Sequence, residues 1–141
     1  MTDHAATTAT DRIVMYIVIP KSLKMGIGKV GATCGHAVQR LMQMYMGRIP
    51  IPSSSNYEPT HIRQNRKECL LFDAWLDSSY AKIVLGASDE EFAEVKQLSN
   101  RVVVVDVGLK EVAAGSETAV GLWPMLKSAA PSIIQKLQPL R

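Results

Sequence analysis

The amino-acid sequence predicts an α/β fold: one domain in which strands alternate with helices, and the helices cover a sheet containing parallel pairs. Its 141 residues, 47% hydrophobic and 21% charged, suit one folded domain and exclude disordered, collagen-like and disulfide-dense chains. Short β-branched runs such as Ile13 to Pro20 and Val102 to Val105 alternate with stretches of helical periodicity. These runs stop well short of the ~20 residues that a membrane-spanning helix requires, so no membrane span is expected.

Residues 1–11 are Ala/Thr-rich and lack Lys and Arg, which suits a flexible tail rather than a secretory or mitochondrial leader. The domain is expected over residues 12–141. Arg12 to Pro20 is nearly all apolar and reads as a central strand buried on both faces. After a turn at 21–28, Val30, Cys34, Ala37, Val38, Leu41 and Tyr45 recur at helical spacing, predicting a long amphipathic helix ending near Gly47. Residues 48–65, with three prolines and a serine triplet, read as a loop or insertion. A second helix is expected from Arg66 to Asp77, and a second strand begins at Lys82. Ser88 as N-cap with Glu91 three residues on forms a capping box that opens a helix running to about Ser99. Arg101 to Val107 is a third strand, Ala119 to Leu122 a fourth, and residues 127–137 a closing helix opened around Pro131.

Charge is segregated along this framework. From Arg12 to Lys67 there are nine Lys/Arg and one acid, Glu58, which points to a basic face suited to a polyanion such as nucleic acid, the alternative being an ordinary solvated surface. Lys21, Arg40 and Arg48 are candidate phosphate contacts, with Arg63, Arg66 and Lys67 as a further cluster. Cys34 and Cys69 allow at most one disulfide and lie in no metal-binding pattern. Free thiols suit a reducing, cytoplasmic setting, with the mitochondrion as alternative.

Gly26 to Gly31 matches G-x-G-x-x-G, yet no acid occurs between Asp11 and Glu58 to bind a ribose. A P-loop fits no better, because Leu23 replaces its first glycine and Val30 its Ser/Thr. The first helix offers more. Lys29, Thr33, His36, Arg40 and Gln43 form one polar stripe, which begins at a helix N-terminus able to receive a phosphate or an oxyanion. The alternative is a solvent-facing helix surface. Asp106 follows four valines at the end of a buried strand, where α/β proteins commonly place their sites, or where a turn cap would sit. Cys34 and His36 alone cannot form a zinc site.

In this order, the pieces resemble the archaeal and eukaryotic type of peptidyl-tRNA hydrolase. Residues 24–37, KMGIGKVGATCGHA, resemble that family's K-M-G-K-G-K-x-A-A-Q-x-x-H-A signature, and residues 105–124 its D-A-G-x-T-x-(I/V)-x-P-G-S-x-T-V-x-G-x-G-P segment. The Ala74-Trp75 pair agrees as well. The resemblance implies a mixed four-stranded sheet flanked by helices, a homodimer, no metal or cofactor, and hydrolysis of the ester between a peptide and the 3′ ribose of tRNA. It places Lys24, Lys29, His36, Asp106, Ser116 and Thr118 in the catalytic group. For tRNA binding, Lys24 and Lys110 join Lys21, Arg40 and Arg48. Ile27 stands for the signature's middle lysine, Thr33 for its glutamine, Lys110 for a threonine, Ala114 for a proline and Trp123 for a glycine. Those departures keep open a second reading, a non-hydrolytic member that binds RNA, the ribosome or a protein partner.

Overall fold

The computed structural model describes residues 11–47, 57–59, 66–107 and 112–141. Its organising element is β1 (Ile13–Pro20), whose side chains are buried on both faces from Val14 onward, as an apolar strand with no polar alternation requires. α1 (Ile27–Tyr45), β2 (Tyr57–Pro59), α2 (Arg66–Ser78) and β3 (Ala81–Ala87) follow. Then come α3 (Asp89–Val95), β4 (Arg101–Val105), β5 (Glu117–Leu122), β6 (Met125–Leu126), α4 (Ser132–Lys136) and β7 (Gln138–Pro139).

The sheet is mixed, in the order β2-β4-β5-β1-β3-β7, with β6 also paired to β1. β1 and β3 run parallel from Val14↔Ala81 to Pro20↔Ala87, and the other pairings are antiparallel. The four expected strands form the centre, and three pieces of two or three residues extend it. One of these, β2, falls inside the stretch read as a loop, where its pairing with β4 depends on a partner more than forty residues away.

Alternate residues of the strands supply two cores. Val14, Tyr16 and Val18 pack with Val103, Val120 and residues of α3 and α4. Met15, Ile17 and Ile19 face the other way, toward α1 and α2. Gly121 lets α1 come close to β5, because a Cβ there would lie 3.1 Å from the Ala37 Cβ and 3.2 Å from Leu41 Cδ1. The Ser88–Glu91 capping box forms as expected, with both reciprocal hydrogen bonds present. Two helices are shorter than periodicity predicts. α3 stops at Val95, ahead of a turn that ends with Asn100 at φ +56°. The closing segment is a 3-10 turn, Lys127–Ala129, then an extended Ala130, then α4. Pro131 accounts for that break, since it disfavours helical backbone at the residue before it.

At one edge of the sheet the carboxyl ends of β1, β3 and β4 lie beside the start of β5, and α1 and α3 both begin there. The candidate site occupies this edge. Among the described residues, no helix is long and apolar enough to cross a membrane.

Candidate active site

Asp106 is the residue after β4. Strand alternation puts Val102 and Val104 against the α1 side of the sheet, and Asp106 continues that series. Its backbone is pinned: its N–H donates to Ser116 O (2.7 Å), and its carbonyl accepts from Gly115 N–H (2.8 Å). Gly115 adopts φ +87°, a conformation that glycine takes without steric cost, so the returning chain can make this tight exchange. The carboxylate is thereby held 7% exposed, facing α1.

From α1, Lys29 Nζ donates to that carboxylate. The lysine lies in the first turn, behind an N-cap at Gly26, and its side chain is 16% exposed. One turn further on, the Thr33 hydroxyl hydrogen-bonds the Thr118 hydroxyl, and Thr118 also donates to Val104 O at 3.5 Å. Thr118 owes its direction to a β-bulge. The register steps from Val104↔Ala119 to Val105↔Glu117, so Thr118 is the extra residue and turns to the α1 side, where strict alternation would send it to the other face.

Part of the polar stripe is therefore turned inward on the side of α1 that packs on β4 and β5 rather than toward solvent: Thr33 is 1% exposed and Arg40 is fully buried. Arg40 donates from Nη1 to Gln43 at 3.4 Å. Its burial is at odds with the surface phosphate contact expected of it, because helix spacing fixes which residues share a face but not what covers that face. His36 is half-buried on the same helix. Ser116 takes part through its backbone, donating to Ala113 O and accepting from Asp106.

The structure separates the two candidate lysines. Lys24 has a left-handed backbone, φ +50°, with its N–H donating to Lys21 O, and it lines a cleft with Lys21 rather than joining Asp106. Arg48 and Lys110 lie outside the described residues, as does Arg63. Spacing missed two features, the Thr33 partner of Thr118 and the bulge that aims it. The i to i+4 step from Lys29 to Thr33 was the available signal, since it stacks both over one strand end. Burial pushes the Cys34 thiol above its ordinary pKa, so it is a packing residue with little thiolate. Among the described residues no group of three or more His, Cys, Asp or Glu could hold a metal ion.

An ammonium and a carboxylate in contact, both mostly withdrawn from water beside paired hydroxyls, can accept a proton from water and stabilise a developing oxyanion. Comparison with known proteins bears on which reaction this serves. The family model described as Peptidyl-tRNA hydrolase PTH2 matches residues 13–140. Peptidyl-tRNA hydrolase 2 of Saccharomyces cerevisiae is 30% identical over 130 residues, covering 88% of this chain and 56% of that protein. A peptidyl-tRNA hydrolase of Pyrobaculum aerophilum is 31% identical over 120 residues, covering 79% of this chain and 84% of that protein. The human mitochondrial peptidyl-tRNA hydrolase 2 is 30% identical over 116 residues, with 78% of this chain and 54% of that protein covered. The chain thus spans little more than half the length of the yeast and human relatives.

Proposed function

Since the chain belongs to the peptidyl-tRNA hydrolase PTH2 family, we propose that it hydrolyses the ester joining a peptide to the 3′ ribose of tRNA, with Asp106 and Lys29 as the reacting pair. The observation carrying this reading is that pair itself. Two segments 77 positions apart, each resembling a family signature, bring a lysine and a carboxylate into contact at the sheet edge.

In the proposed reaction Asp106 takes a proton from a water molecule as the water oxygen adds to the ester carbonyl. The tetrahedral oxyanion is stabilised by Lys29 Nζ, and its collapse breaks the bond to the ribose oxygen, which leaves with the proton that Asp106 returns. Thr33 and Thr118 hold α1 against β5 and so fix the separation of the pair. tRNA is the partner, approached through the basic segment, and the homodimer implied by the resemblance belongs to the same proposal. Two free cysteines, both half-buried, support a reducing, cytoplasmic setting.

The test is release of tRNA from an N-acetylated aminoacyl-tRNA by purified protein in excess chelator. Turnover well above the uncatalysed ester rate is expected. A folded sample without turnover overturns the hydrolase reading.

A further inference from the structure

Beside the reacting pair, on the other flank of the first turn of α1, lies a cleft of about 420 Å³. Its rim carries Lys21, Lys24 and Arg141 and no acidic side chain, while Met25, Ile27 and Val30 form an apolar wall. Ile27 stands where the family signature has a lysine, and it is 93% exposed. The backbone of Lys24 is left-handed, its N–H donates to Lys21 O, and both lysines line the cleft. A left-handed backbone is disfavoured at a residue with a Cβ, so the turn is maintained against a local preference.

We infer that this cleft seats the 3′-terminal nucleotides of the RNA substrate, with backbone phosphates on the cationic rim and a base face on the Met25–Ile27–Val30 wall. The inference rests on the hydrolase reading and adds to it where the RNA lies. Charge decides the occupant. A polyanion gains from three cationic side chains on a rim without an acidic one, Glu91 near Lys21 lying outside the cleft, whereas peptides of varied sequence include basic ones that such a rim repels. Position agrees, because Val30 of the wall directly follows Lys29, and the last nucleotides of the RNA are those nearest the scissile ester.

The probe is the trinucleotide CCA with a 5′-phosphate, titrated into the full chain and followed by methyl NMR. Wild type is expected to bind it with shifts at Met25, Ile27 and Val30. Ile27→Glu sets an acid in the mouth of the cleft at a fully solvated position and should weaken binding at least tenfold. Lys24→Ala should weaken it and flatten its salt dependence. Lys127→Glu, on the exposed turn near the opposite edge of the sheet, should leave it unchanged. Unaltered affinity in Ile27→Glu, or shifts confined to other surfaces, overturns the inference. So does displacement of the trinucleotide from the wall by N-acetyl-methionine amide, which would make the cleft a peptide site. Hydrolysis is measured on the same samples: turnover without binding at the cleft refutes only the cleft, and binding without turnover refutes the hydrolase reading.

Discussion

Lys29 meets Asp106 on the α1 side of the sheet, and Lys96 meets Glu117 on the α3 side, both at the edge where β4 ends and β5 begins. The chemical groups are the same in the two pairs, but the surroundings differ. Lys29 and Asp106 are 16% and 7% exposed, while Lys96 and Glu117 are 29% and 34% exposed at 2.5 Å. Water screens the second pair and largely leaves the first. The inner pair has the threonine hydroxyls a turn away and an open cleft beside its helix; the outer one is a link between a helix end and a strand. What separates the proposed catalytic pair from a surface contact here is the path of α1, which Gly121 lets come close to β5.

The largest effect expected from breaking this contrast is on the inner pair. Lys29→Ala and Asp106→Asn should each lower kcat in the tRNA-release assay by about 100- to 1000-fold, the usual cost of losing a preorganised donor or base. Circular dichroism should show the fold retained. Near-wild-type kcat in both variants would return the inner pair to the status of the outer one.

Next in size is the hydroxyl pair. Thr118→Val keeps the shape of the side chain but strands the buried Thr33 hydroxyl, at a cost of about 1–3 kcal/mol in chemical denaturation. The double variant Thr33→Val with Thr118→Val leaves neither hydroxyl unpaired at this contact and should recover much of that loss. A strictly additive double variant would show that the two hydroxyls do not depend on each other.

Local signals and tertiary ones diverge over these same residues. Buried β1, the long α1 and the Ser88–Glu91 box were legible because each is written in neighbouring residues: a β-branched run, a helical period, a cap with its reciprocal glutamate. The Lys29–Asp106 contact was legible only through resemblance, since no local rule links residues 77 apart. β2 and the bulge at Thr118 are set by register between strands, so no window of neighbouring residues contains them. Arg40 shows the limit of periodicity, and Trp123 the limit of motif comparison. Where the family motif has glycine, Trp123 is buried, edge-on to Phe72, with its indole N–H donating to Glu68 O at 2.9 Å. That departure belongs to the core beneath α2, away from Lys29 and Asp106.

The α3 capping box offers a smaller, pH-dependent effect on the outer pair's side of the sheet. The Ser88 backbone N–H holds the Glu91 carboxyl below its ordinary pKa. A depressed folded-state value means that this contribution is complete above the ordinary glutamate range and is lost as pH falls through the folded value. Ser88→Ala should cost about 1 kcal/mol at neutral pH. Glu91→Gln leaves that N–H an acceptor but removes the titrating group, so the acid limb of the stability profile, followed by thermal melts, should lose the part due to Glu91. An unchanged acid limb would show that the carboxyl does not serve as a cap in solution.

The smallest effect belongs to Lys96–Glu117, and its smallness is what tests the comparison. Exposed ion pairs contribute about 0–1 kcal/mol, because water offers each charge nearly as good a partner and ordering two long side chains opposes the attraction. Lys96 also lies 5.8 Å from the Phe92 ring centre, near the outer limit for a cation–π contact, which adds little at a solvated site. Lys96→Met keeps most of the apolar stem while removing the charge, so packing over Phe92 should largely persist. The expected outcome is a loss of no more than about 1 kcal/mol, shrinking further in high salt, with kcat for tRNA release unchanged. A drop in kcat approaching that of Lys29→Ala would show that the geometry of the inner pair depends on the outer one through the β4–β5 junction. Burial alone would then no longer separate the pair proposed to react from the pair that only holds.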